Sequence, residues 1–184
     1  MPAPALIPDV GRALIVQLAA FQAVLLLASG LHKMLKSGRM RTVVHEFAGV
    51  PGRLAPIAVV AAASAELLAG ILLWTPALRA AGGALAALVW GGYLALILRA
   101  IAQGRRAVDC GCSFGPAQHA LGPYPVIRNA LLAGTAALVA AAAAEGAAGW
   151  VSGPEILASF ALLALYGALD QVMTLMPPRV GALL

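Results

Sequence analysis

The sequence predicts an all-α protein, a polytopic membrane helix bundle of about four to five transmembrane helices with a short interfacial helix. Three observations carry that expectation. Of 184 residues, 62% are hydrophobic and only 10% are charged, whereas soluble domains run nearer one half apolar and about one quarter charged. A soluble fold this small leaves too much surface in water to hide such a composition. The apolar residues are also gathered into runs close to the roughly 20 residues that a helix needs to cross a bilayer. No long hydrophilic run separates them, so residues 1–184 read as one transmembrane domain.

The first run, 10–31, ends at "LHKMLKSGR". A signal peptide is the rival reading. The start lacks a basic n-region, the run is long and a dense basic stop follows, which together favour a retained helix. Next comes "GRMRTVVHEFAGV". Met40, Val43, Val44 and Phe47 follow the spacing i, i+3, i+4, i+7, while Arg39, Arg41, His45 and Glu46 fall elsewhere on the wheel. This predicts the interfacial helix, with a solvated loop as the alternative. The second span is 54–74, introduced by "VPGRLAP", and the third is 78–101, after a turn at Thr75 and Pro76. The fourth, 126–148, is the weakest, because "AALVAAAAAEGAAG" is mostly alanine and glycine. The fifth, 155–176, is stopped by Pro177 and Pro178. Gly82, Gly83, Gly91, Gly92 and Gly134 predict close helix contacts, although glycine is also simply frequent in membrane helices.

The net charge of +5 comes from 12 Lys+Arg against 7 Asp+Glu. In this composition the excess reads as topology, and no nucleic acid is expected as a partner beside the lipid bilayer. The first loop carries Lys33, Lys36, Arg39, Arg41 and Arg53. The third carries Arg99, Arg105 and Arg106, with Arg128 just inside the fourth span. The second loop has only Arg79 and the fourth has none. Basic residues gather on the cytoplasmic side. The N-terminus is therefore expected outside, and the C-terminus and third loop inside.

That third loop holds the only two cysteines, in "DCGCSFG". Cys110 and Cys112 can bridge only in some backbone shapes, which Gly111 permits. The small ring is expected to be strained, and strained disulfides are the labile ones. A bridge across one residue barely restrains an unfolded chain, so a structural disulfide is a poor explanation. Arg105, Arg106 and a helix start marked by Pro125 in "PYPVIRN" favour thiolate, while Asp109 opposes it. Asp109, Cys110, Cys112 and His119 do not have a common structural-zinc spacing, and no metal is expected. Two plain free thiols remain the alternative.

Glu66 lies near the middle of the second span, in "ASAELLAG". An ionisable group at that depth is a functional candidate, or a hydrogen-bonded packing group. Gly70, one turn on, leaves room for a neighbouring helix. Lys33 ends the first span one turn after Ser29. It either snorkels to the interface or reaches inward to a carboxylate. Lys33, Arg128 and Asp170, in "YGALDQV", lie toward the face that carries the cysteines, with Glu66 deeper. Trp90, Tyr93 and Tyr166 read as packing or interface residues. They could also line a site for a flat cofactor such as a quinone, an option that nothing in the sequence singles out.

The chain resembles the methylamine-utilisation protein E (MauE) family, within the wider DoxX-like membrane proteins. The resemblance rests on "ASGLHKML", "HEFAGVP", "AELLAG" around Glu66, and Cys-Gly-Cys followed by Phe-Gly and then "VIRNALL". The family's shorter form reads Cys-Gly-Cys-Phe-Gly, and here Ser113 intervenes. The resemblance implies a bacterial inner-membrane helper in making methylamine dehydrogenase. The small subunit of that periplasmic enzyme is crowded with disulfides and carries tryptophan tryptophylquinone. It further implies a thioredoxin-like, membrane-tethered partner. On this reading Cys110 and Cys112 carry thiol–disulfide equivalents for disulfide formation in the client. A non-catalytic scaffold for the maturation partner is one alternative, and a small transporter built on Glu66 and Asp170 is another. The charge rule sets the cysteines near the cytoplasm and the client lies in the periplasm. Either the loop is reached through the bundle, or reducing equivalents cross the membrane; a miscounted weak fourth span would move the C-terminus but not the loop.

Overall fold

The structure is a computed structural model that describes residues 6–104, 123–146 and 149–175. Its helices are α1 (Leu6–Leu35), α2 (Ser37–Ala48), α3 (Ala55–Trp74), α4 (Arg79–Ala102), α5 (Pro123–Ala144) and α6 (Gly153–Leu175). Among the described residues there is no strand. All but α2 are long and apolar enough to cross a membrane, the alanine-rich α5 included. Cys110 and Cys112, with Arg105, Arg106, Asp109 and His119, lie outside the described residues.

The helices start and stop where local chemistry dictates. Pro56 stands in the first turn of α3, where its missing N–H breaks no helical bond. The Pro51 carbonyl accepts from the N–H groups of Leu54 and Ala55 and turns the chain into that helix. Gly49, at φ 70°, ends α2 in the left-handed conformation that glycine enters without a Cβ penalty. α6 begins two residues before the expected Glu155. Ser152 donates its backbone N–H (2.9 Å) and its hydroxyl to the Glu155 carboxylate, which is the Glu half of a capping box.

α1 is the central helix. Half of its most apolar window is buried, against 11% for α6. α1 and α3 run antiparallel, with Gly30 against Leu67 and Ala63, and Gly70 against Leu27 and Ala23. The room expected beside Gly70 is thus filled by α1. α4 and α5 approach as closely. A Cβ on Gly83 would stand 2.8 Å from the Ala140 backbone nitrogen, and one on Gly82 would stand 2.5 Å from that of Leu73. Gly91, Gly92 and Gly134 have open space instead, so only the first two of the five expected glycines serve close packing.

α2 is the predicted short amphipathic helix. Its apolar side packs on protein: Met40, Val43 and Phe47 are buried in a cluster with Val59 of α3 and Ile97 and Ala100 of α4. Lys36, Arg39 and Arg41 are exposed. Bundle helices thus take the place of much of the lipid that an interfacial helix would bury its stripe in.

Candidate functional site: charged side chains inside the bundle

Glu66 is fully buried, and its Oε1 gathers donors from two other helices. Lys33 Nζ donates to it at 2.7 Å, Ser29 Oγ at 3.1 Å and Tyr93 Oη at 2.6 Å. Lys33 also donates to Ser29 Oγ at 2.8 Å and stands 5.2 Å from the centroid of the Tyr93 ring. Helical spacing explains the convergence, because Ser29 and Lys33 are one turn apart and so share a face of α1. The ammonium therefore turns inward to a carboxylate. Of the two fates open to Lys33, the inward reach is the one found, and the long lysine stem spans the difference in depth to Glu66. The second oxygen, Oε2, is buried without a hydrogen-bond partner among the described residues.

A second buried pair joins α5 to α6. Arg128 Nη1 donates to Asp170 Oδ1 at 2.7 Å, with side chains only 6% and 3% exposed. Tyr124 Oη reaches the same oxygen at 3.4 Å, and its ring lies 5.7 Å from the Arg128 guanidinium carbon. The antiparallel register seen at Gly83, followed along α4 and α5, brings Arg128 level with Tyr93. Both pairs occupy the half of the bundle from which the chain leaves α4 and to which it returns at α5. Of the six predicted site residues, the structure thus pairs four, Lys33 with Glu66 and Arg128 with Asp170.

Two further polar groups, Gln17 and Gln22, and the burial of a third, Arg79, are not read from the sequence. Gln22 is buried and joins three helices: it donates to the Leu132 carbonyl and to Thr135 Oγ1, each at 2.9 Å, and accepts from Trp90 Nε1 at 2.8 Å. Gln17 Nε2 donates to Ser159 Oγ on α6 at 3.0 Å. Arg79, which the sequence places among the loop charges, lies inside the fold. It is fully buried, and its Nε donates to the Leu73 carbonyl at 3.1 Å, satisfying one of the orphan acceptors at the end of α3. The two glutamines carried a legible signal, a polar side chain inside an apolar run. Arg79 carried none, because a residue next to a turn looks exposed until the turn is folded. Tyr166 packs edge-on against Phe21, with centroids 6.4 Å apart, the packing role expected for it.

The family of methylamine utilisation protein MauE matches residues 11–143 of this chain. The chain belongs to the MauE family. No curated protein and no solved structure matches it significantly. Together with the five long apolar helices, membership makes this MauE-family chain a multi-pass membrane protein that serves methylamine utilisation in an accessory role. The matched region takes in Lys33, Glu66, Arg128 and both cysteines, and it stops short of Asp170.

Proposed function

We propose that this protein is an inner-membrane thiol–disulfide exchanger. It would assist disulfide formation in the periplasmic methylamine dehydrogenase small subunit, working through a thioredoxin-like membrane-tethered partner. The observation that carries this reading is that the chain's only two cysteines stand one residue apart inside the region that matches the MauE family. A pair so spaced is poorly suited to restraining the chain and well suited to exchange.

In the exchange, a partner thiolate attacks one sulfur of the Cys110–Cys112 bridge. The S–S bond breaks, a mixed disulfide forms, and the other cysteine leaves as thiolate. The partner's second thiolate then attacks the mixed disulfide. This releases the partner oxidised and leaves both cysteines reduced. Two electrons have moved onto the pair, and a disulfide or quinone acceptor must remove them before the next cycle. The Arg128–Asp170 pair supports this chemistry indirectly. It fastens to α6 the first turns of α5, the helix that follows the cysteines in the chain.

The test replaces Cys110 and Cys112 by serine, singly and together, in cells that make methylamine dehydrogenase. Loss of mature small subunit is expected in all three variants, and a single-cysteine variant should trap a mixed disulfide with the partner. Full maturation in the double variant, with the partner still co-purifying, would replace the exchanger with a scaffold.

A further inference from the structure

The outer faces of α3 and α4 enclose an open groove of about 560 Å³ that no part of the proposed exchange uses. It is lined by small residues, among them Ala62, Ala65 and Gly92, and by Leu88 and Tyr93. Arg99 lines the groove at the end of α4 that faces the basic loops. Gly92 borders open space, since a Cβ there would meet nothing within 4 Å. Arg99 is exposed, and among the described residues no ion pair engages its guanidinium.

Three features select the occupant. The groove is apolar along its length, so it takes a hydrocarbon chain. From Leu88 to Arg99, at 1.5 Å of rise per residue, it extends for roughly 16 Å. That is about half of a hydrocarbon core some 30 Å thick, which is the depth of one leaflet. Its one charged lining residue is a cation, and it stands at the end where that leaflet's headgroups lie. Exposed Lys36, just before α2, and Arg41 of α2, which packs on α3 and α4 at this end, add to the positive field. Basic pockets between membrane helices on the cytoplasmic side hold anionic headgroups.

We propose that this groove is a binding site for one anionic phospholipid of the leaflet at the basic end. One acyl chain lies along Ala62, Ala65 and Gly92, and the phosphate sits on Arg99. The inference does not depend on the cysteine reading, because no residue of the groove takes part in exchange. Bound lipid would cover an apolar face that α2 and α5 leave open.

The test uses the full chain, purified in detergent and placed in nanodiscs of phosphatidylglycerol mixed with phosphatidylcholine of identical chains. Retained lipid is then counted by native mass spectrometry. The expected result is one tightly held phosphatidylglycerol, preferred roughly fivefold, the ratio that about 1 kcal/mol per basic residue near a membrane surface corresponds to. Arg99→Gln should abolish the preference. Gly92→Leu should prevent retention of either lipid, with helicity and melting temperature read in parallel to confirm folding. Should Gly92→Leu fail to fold, the exposed Arg99→Gln still decides. Equal retention of the two lipids by the unmodified protein would overturn the proposal. So would a preference that survives Arg99→Gln, or displacement of the lipid by a neutral quinone equally in the presence and absence of Arg99.

Discussion

Glu66 decides much of what happens around it because a carboxylate in a bundle core must find donors or lose its charge. Here it finds Lys33, Ser29 and Tyr93 at a single oxygen. Removing one partner of a buried ion pair leaves the other uncompensated, which costs more than the pair contributes. Lys33→Met and Glu66→Gln are each expected to cost roughly 3 kcal/mol. The double variant should lose clearly less than the sum, because the two residues share one interaction. Reversible unfolding in mixed micelles measures both, and strictly additive losses would show the pair to be uncoupled. That Glu66 is a candidate is readable from its depth in an apolar run. Its partners are not, since snorkelling and inward reach are equally open to a lysine at a helix end.

At the scale of helices, glycine sorts into two kinds that look alike in sequence. Gly83 faces backbone atoms of α5 at Ala136 and Ala140. Backbone cannot retreat without moving the whole helix, and overpacking of this kind costs about 1–3 kcal/mol. Gly134 has nothing within 4 Å of its missing Cβ, and alanine there should gain up to about 1 kcal/mol of helix propensity. Gly83→Ala is therefore expected to lower the melting temperature in detergent, and Gly134→Ala to hold or raise it. Parallel falls in both would mean that the α4–α5 approach is not as close as described. α2 makes the same point for amphipathic patterning. The spacing of Met40, Val43 and Phe47 announces a helix with one apolar side, but a lipid surface and a protein groove satisfy that side equally well.

At the scale of the molecule, the five spans among the described residues and the charge asymmetry predict an orientation. Lys36, Arg41, Arg53 and Arg99 are exposed at one end of the bundle, the end that the charge rule assigns to the cytoplasm. A fluorescent reporter joined after Leu184 is expected to be active, and a periplasm-dependent phosphatase at the same position inactive. An impermeant maleimide added to intact cells should leave Cys110 and Cys112 unmodified, while inside-out vesicles should allow labelling. Modification in intact cells would reverse the assignment, and would place the cysteines on the side of the proposed periplasmic client.

Composition, run length and periodicity were enough for the class of the fold, the five spans and the amphipathic α2. Those properties follow from local periodicity and from the solvent each stretch requires, and both are written along the chain. The pairing of Lys33 with Glu66, the three-helix bond of Gln22, the burial of Arg79 and the open groove beside Gly92 came only from packing. In a bundle every helix offers several faces of nearly equal hydrophobicity. Which face meets which neighbour is decided by the fit of small and large side chains across helices far apart in sequence, and that fit exists only once all the helices are together.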